Sequence, residues 1–102
     1  LKPTAKPVLE RAKAYLDQNP GTYYLDGHTD WIGSNQYNFS LGQKRAESVY
    51  HALVALGVHE DVLIPRSFGE SRPFTTNETD AGRSLNRRVE LIRQSNETPF
   101  DY

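Results

Sequence analysis

Residues 27–45, Gly27-His28-Thr29-Asp30-Trp31-Ile32-Gly33-Ser34-Asn35-Gln36-Tyr37-Asn38-Phe39-Ser40-Leu41-Gly42-Gln43-Lys44-Arg45, join a short apolar run to a long amphipathic one. The run before them, Tyr23-Tyr24-Leu25, has the aromatic content of a strand, and residues 22–28 are expected to form one. The chain then turns at Gly27 into a polar loop holding Asp30, Gly33, Ser34 and Asn35. Beyond the loop Leu41, Val49, Ala52, Leu53 and Leu56 recur at helical spacing and form one apolar stripe. On a wheel of about 100° per residue with Leu41 at zero, these five fall within roughly 120° of arc, and Arg45 falls at about 40°, inside it. A guanidinium on a core-facing stripe, in the first turns of a helix, meets both a desolvation cost and an unfavourable macrodipole. It must be paired or must await a ligand, and Asp30 in the preceding loop is the obvious partner. Two cap signals compete at the helix entrance, Ser40 with Gln43 and Gly42, and Tyr37-Asn38-Phe39 reads as a separate turn.

Outward from this stretch, residues 3–18 read as an amphipathic helix with Val8, Leu9, Ala12, Tyr15 and Leu16 inward, stopped by Asn19-Pro20-Gly21. Gly57 is the stop signal of the long helix. Val62-Leu63-Ile64 precedes Pro65, which predicts an edge position, or a strand start near Ser67-Phe68. Gly69 to Gly82 is a polar loop. Residues 86–92 alternate, with Arg87, Val89 and Leu91 on one face and Arg88, Glu90 and Ile92 on the other, which predicts a strand. From Gln94 no periodicity remains, so residues 94–102 are expected to be a loosely held tail on a single domain spanning 1–102. The fold class is α/β, a two-layer sandwich with two main helices on one face of a small mixed sheet.

Composition excludes several functions. The 102 residues carry 12 Lys and Arg against 13 Asp and Glu, with no dense basic cluster, which argues against binding nucleic acid. No apolar run approaches membrane-spanning length, so any membrane association runs through a tether outside this chain. There is no cysteine, which removes disulfides, thiolate catalysis and cysteine-bound zinc. His28 and Asp30 are too few for a metal site, and His51 and His59 lack ligand spacing; no cofactor or metal is expected. No serine stands in a nucleophile elbow. His28 reads as a hydrogen-bonded structural residue, Arg87 and Arg88 as loop-pairing residues directed at Glu70 or Asp80, and Trp31 as either a cover for the loop or an aromatic surface for a ligand.

Taken together, Gly27-His28-Thr29-Asp30, Gly33, Tyr37-Asn38, Ser40-Leu41-Gly42, Arg45-Ala46, Gly57-Val58, Gly69-Glu70, Gly82-Arg83 and Asn86-Arg87-Arg88-Val89-Glu90 resemble the OmpA-like C-terminal domain family. That family includes the peptidoglycan-associated lipoprotein and the periplasmic part of flagellar stator proteins. Ser40-Leu41-Gly42 is similar to the lipoprotein branch, and the segment from Gly69 to Arg88 to the outer-membrane protein branch. The resemblance implies a periplasmic, non-catalytic module that binds the meso-diaminopimelate stem peptide of Gram-negative peptidoglycan and anchors an outer-membrane protein to the wall. It places the ligand's two charged ends on Asp30 and Arg45, with Asn38, Ile32, Leu41 and Thr29 as supporting contacts and Arg87, Asn86 and Trp31 as secondary candidates. The alternatives are a cell-wall amidase or peptidase, and an interaction module whose partner docks at the Asp30 loop. The family also sets a strand before its first helix, whereas this chain begins at Leu1-Lys2-Pro3 where that helix is already starting. The sheet is therefore expected to lack one ladder, leaving an incomplete pocket and an edge through which a homodimer could pair.

Overall fold

The computed structural model describes residues 3–94, and the tail from 95 to 102 lies outside them. A 3-10 turn, Pro3–Ala5, leads into α1, Lys6–Gln18, with Pro7 in its first turn, where a missing N–H costs nothing. Strand β1, Tyr23–His28, follows and feeds α2, Asn35–Ala55. A second 3-10 turn, Glu60–Val62, precedes β2, Leu63–Gly69. A short helix, α3, Asp80–Asn86, and β3, Val89–Arg93, complete the described chain.

The sheet order is β2-β1-β3, with β1 parallel to β2 and antiparallel to β3. Its two-residue period sends Tyr23 and Leu25 to one face, where they meet Leu63, Leu16 from α1, and Ala46 and Leu53 from α2. Both long helices cover that face, as expected of a two-layer sandwich. Proline is tolerated in β2 because the strand is at the sheet edge, and it runs straight through Pro65 opposite Leu25. On the other face β1 presents Asp26, 3% exposed, to Arg66 of β2, whose guanidinium grips both carboxylate oxygens at 2.5 and 3.1 Å and lies 3.6 Å over the Tyr24 ring. That pairing holds Arg66 even more firmly protonated than usual. Long side chains, rather than a second layer, cover this face.

Helix α2 crosses β1 at backbone contact. A Cβ at Gly27 would sit 1.9 Å from the Gly42 carbonyl oxygen, and one at Gly42 would sit 2.4 Å from Ser67 Oγ. Gly27 has ordinary φ and is needed for this approach, whereas Gly33, at φ +99°, is needed for its turn.

Three boundaries differ from the sequence reading. Helix α2 starts about two turns earlier than the predicted caps: Ser34 is the N-cap, its hydroxyl accepting from Tyr37 N at 3.0 Å, and residues 37–39 belong to its continuous first turns. The buried residues of α2 are Asn38, Gly42, Ala46 and Leu53, so the true inward stripe centres near 100° on the same wheel. Arg45 therefore lies on its flank, half-buried, rather than at its middle. Finally, α3 occupies residues assigned to loop and strand, capped by Thr79 Oγ1 accepting from Gly82 N at 3.0 Å, and β3 begins only at Val89. Gln94, expected to open the loose tail, is tied back by its N–H to Thr22 O at 2.7 Å.

Among the described residues the outer edge of β3 pairs with no strand. Beside it α1, α2 and β3 enclose a groove of about 740 Å³, apolar along Leu9, Leu25 and Val89, with Arg45 and Arg87 among its lining residues.

Candidate functional site

The loop after β1 is fixed by both neighbouring strands. His28 N donates to Arg88 O at 2.8 Å, and Thr29 N donates to Gly69 O at 2.9 Å. Thr29 is 2% exposed and its hydroxyl donates to Asp30 O at 2.9 Å, so it shapes the loop from inside. Asp30 is 7% exposed. Its Oδ1 accepts from Ile32 N at 3.0 Å, and its Oδ2 accepts from Arg87 Nη1 at 2.7 Å.

Helix α2 supplies the other wall. Asn38, fully buried, donates through Nδ2 to Ile32 O at 3.0 Å and to Glu70 Oε1 at 2.8 Å, tying the loop to the end of β2. One turn on, Leu41 is half-buried. Two turns on, Arg45 donates from Nη1 to His28 O at 3.2 Å, and no carboxylate pairs with it among the described residues. Trp31, Ile32 and Tyr37 stand exposed around the loop.

Electrostatics couple three charges. Burial would push the Asp30 carboxyl up, but the Arg87 hydrogen bond, the Ile32 N–H and the charges of Arg87 and Arg45 outweigh it, and Asp30 ends below the usual carboxylate range. Arg45 is pulled down by burial and by the like charge of Arg87, against the opposing pull of Asp30 and Tyr37. It remains a cation at any physiological pH. The site is thus one carboxylate flanked by two guanidiniums.

Several expectations are corrected by this arrangement. The direct Asp30 to Arg45 bridge does not form; Arg87 takes that place, from 57 residues away. Arg87 and Arg88 do not pair with Glu70 or Asp80: Arg88 Nε donates to Glu90 Oε2 at 2.7 Å, Asp80 pairs with Arg83, and Glu70 holds Asn38. Asn86, offered as a ligand contact, is fully buried with its amide committed to the preceding loop: it accepts from Phe74 N and Thr75 N, and donates to Thr75 O and Asn77 Oδ1. His28 is not hydrogen-bonded through its ring. Both nitrogens lack partners among the described residues, Glu90 stands 3.6 Å away, and the ring stacks on Phe68 at 5.7 Å. Burial and the Arg88 charge hold His28 below the ordinary histidine range, against Glu90 and Asp26.

Residues 1–87 match the OmpA family. Among curated proteins, outer membrane porin F of Pseudomonas fluorescens is 41% identical over 91 residues, which cover 88% of this chain and 28% of that protein. The peptidoglycan-associated lipoprotein of Pseudomonas putida is 40% identical, over 89% of this chain and 55% of that protein. The chain thus spans between about a quarter and just over half of these relatives. Among solved structures, the peptidoglycan-associated lipoprotein from Burkholderia pseudomallei superposes with a TM-score of 0.84 at 34% identity, covering 92% of this chain and 80% of that one. The cell wall anchor of the type VI secretion system from Pseudomonas aeruginosa does so at 0.78 and 29%, covering 91% and 68%.

Proposed function

The chain belongs to the OmpA family, and on that premise we propose that it is a non-catalytic module that grips the diaminopimelate residue of peptidoglycan stem peptides. The observation that carries this reading is the state of Arg45. A half-buried guanidinium with, among the described residues, a single bond to a carbonyl and no carboxylate partner has donors to spare for an incoming one. Diaminopimelate ends in an ammonium and a carboxylate on the same carbon, which suits Asp30 and Arg45 approached together. Asn38 and the Ile32 backbone hold the loop in register, and Leu41 and Thr29 shape its walls. The named relatives, a peptidoglycan-associated lipoprotein and a cell wall anchor, support the same function. By this reading the module sits in the periplasm, joined to the outer membrane through parts of its protein outside this chain.

Co-sedimentation with purified sacculi separates anchoring from catalysis: retention without release of soluble fragments is the expected result, and release would make it an amidase or peptidase. Selectivity tests the site itself. Lysine offers the ammonium without the carboxylate, so a lysine stem peptide leaves Arg45 unpaired. Losing one partner of a buried charge pair costs roughly 2–5 kcal/mol, and half-exposed Arg45 belongs at the lower end, about thirtyfold in affinity. Equal affinity for the lysine and diaminopimelate peptides in calorimetry would show the assignment to be wrong.

The exposed Trp31, Ile32 and Tyr37 favour a second use of the same loop, as a contact for the glycan or for a protein partner. Assembly is a separate question: the β3 edge, unpaired among the described residues, supports a homodimer, and sedimentation showing a concentration-independent monomer would remove it.

A further inference from the structure

The end of β2 carries a second cavity that the stem-peptide reading leaves unused. It encloses about 450 Å³ and is lined by Asn35 and Phe39 of α2 and by Gly69, Glu70 and Ser71. That volume lies within the roughly 300–1,000 Å³ of small-molecule sites. Its back wall is close-packed. Gly69, at φ +53°, brings β2 so near α2 that a Cβ there would lie 3.0 Å from Phe39 N, and Ser67 Oγ donates to Phe39 O at 2.7 Å. Phe39 itself stays 55% exposed, an aromatic residue with no core to fill.

Glu70 and Ser71 set what the cavity accepts. Asn38 donates to Glu70 Oε1 at 2.8 Å, and Asn35 turns its amide nitrogen to the same carboxylate, 3.0 Å from Oε1 and 3.1 Å from Oε2. A carboxylate has about four lone-pair sites, so Oε2 keeps one for a further donor. Ser71 Oγ spends its proton on Phe68 O at 2.6 Å and is likewise left as an acceptor. Among the described residues no cation lines the cavity, so a phosphate or carboxylate would meet Glu70 unopposed. An ammonium gains little from a carboxylate whose charge the amide N–H groups already share. The chemistry that fits is a neutral donor with an apolar face. A sugar ring meets both demands: its C–H face lies on an aromatic ring while hydroxyl and N-acetyl N–H groups donate at the rim.

We propose that this cavity is a sugar subsite, which takes an N-acetylated hexose of the peptidoglycan glycan with its ring on Phe39 and its donors on Glu70 Oε2 and Ser71 Oγ. The inference rests on the stem-peptide reading and extends it. Asn38 Nδ2 touches both Ile32 O of the Asp30 loop and Glu70, so the two sites share a wall.

Calorimetry compares a diaminopimelate stem peptide with the same peptide carrying its N-acetylated disaccharide. The wild type is expected to bind the disaccharide form about three- to tenfold more tightly, the range of one or two neutral hydrogen bonds. Phe39→Ala and Ser71→Ala, both at exposed positions, should each lose most of that gain while binding the bare peptide as the wild type does. Glu70 is left intact because it also holds Asn38. Equal affinity of the wild type for the two ligands overturns the proposal, as does a gain that survives both variants, or variants that weaken both ligands alike. NMR titration with the peptide-free disaccharide reads the cavity alone. Shifts at the Phe39 and Ser71 amides are expected; shifts confined to Trp31 and Tyr37 would put the glycan on the loop instead and overturn the assignment. A cavity that answers to the disaccharide in a protein with no affinity for the bare peptide would sink the stem-peptide reading and support this one, whereas silence toward both would end both.

Discussion

Substituting Gly27 by alanine tests whether the backbone crossing of α2 over β1 sets the site. The added Cβ would lie 1.9 Å from the Gly42 carbonyl oxygen, about 1 Å inside the 3.0 Å limit that real Cβ contacts respect. The obstacle is backbone, so no side-chain rotation relieves it, and the helix must lift from the strand. Overpacking of this kind costs up to about 3 kcal/mol, and in a domain of this size each kcal/mol lowers Tm by roughly 4–8 °C. A loss of about 10–20 °C is expected by calorimetry or circular dichroism. Function should suffer more than stability. Gly42 lies between Asn38 and Arg45 on α2, while β1 leads to Asp30, so a shift of about 1 Å separates the two walls by more than the roughly 0.5 Å a binding constellation tolerates. At a temperature where the variant is folded, sacculus binding should fall at least about tenfold. Gly33→Ala is the control: its penalty is left-handed backbone at φ +99°, about 1–2 kcal/mol, with no helix displaced. A Gly27→Ala protein that melts within a few degrees of wild type would refute the close-packing argument, and one that is destabilised yet binds normally would refute the link from crossing to site.

Asn86→Ala removes a fully buried amide and leaves two N–H groups, one carbonyl and the Asn77 amide oxygen of the largely exposed preceding loop without their partner, and should cost about 1–3 kcal/mol in urea unfolding without changing helix content. His28 has its folded pKa lowered, so the unfolded chain binds the proton first and stability falls as pH drops below about 6.5; His28→Leu should flatten that slope, and an identical slope would assign it elsewhere. Asp30 is also depressed, so its stabilising share is fully present above about pH 4 and is lost as pH falls through its folded value; Asp30→Asn should remove that part of the acid transition. Trp31→Ala, at a 51% exposed position, should move stability by no more than about 0.5 kcal/mol while weakening sacculus retention, and unchanged retention would make the ring a mere cover.

Periodicity exposed the large elements because large side chains obey it. Tyr23 and Leu25 in β1, Val89 and Leu91 in β3, and Leu9, Ala12 and Leu16 of α1 lie where alternation and helical spacing put them, whereas Val8 and Tyr15, expected inward on the same α1 stripe, stand exposed on its margins. The misplacements came where packing is carried by small or polar residues. Gly42, Ala46 and Asn38 form the inward face of the first half of α2, but none of them scores as apolar bulk, so the wheel tilted toward Leu41 and drew Arg45 into the middle. Ser34 is an ordinary cap signal obscured by an apolar pattern that starts later; the intervening turns are buried through Asn38, not through a hydrophobe. Helix α3 is only seven residues long, too short for periodicity to declare, and only the Thr79 cap marked it.

The site shows where a linear reading stops. Arg45 reads from the sequence as a charge among apolar positions with Asp30 in the loop that feeds its helix, and in the structure the two charges do act on each other. Their partners are not visible in that way. Arg87 reaches Asp30 across 57 residues because β3 runs antiparallel to β1, which brings the chain just before Val89 back to the end of β1. Glu70 reaches Asn38 because β2 runs parallel to β1 and ends beside the same loop. Each guanidinium or carboxylate at the mouth of the sheet therefore depends on strand direction for its neighbour. The same topology explains the surplus cation: one strand end contributes Arg87, another contributes Glu70, and Glu70 is drawn into the Asn38 amide, leaving Asp30 alone to balance Arg45 and Arg87. A ligand bearing a free carboxylate would restore that balance, so the charge the fold leaves over is itself an argument for what the site binds.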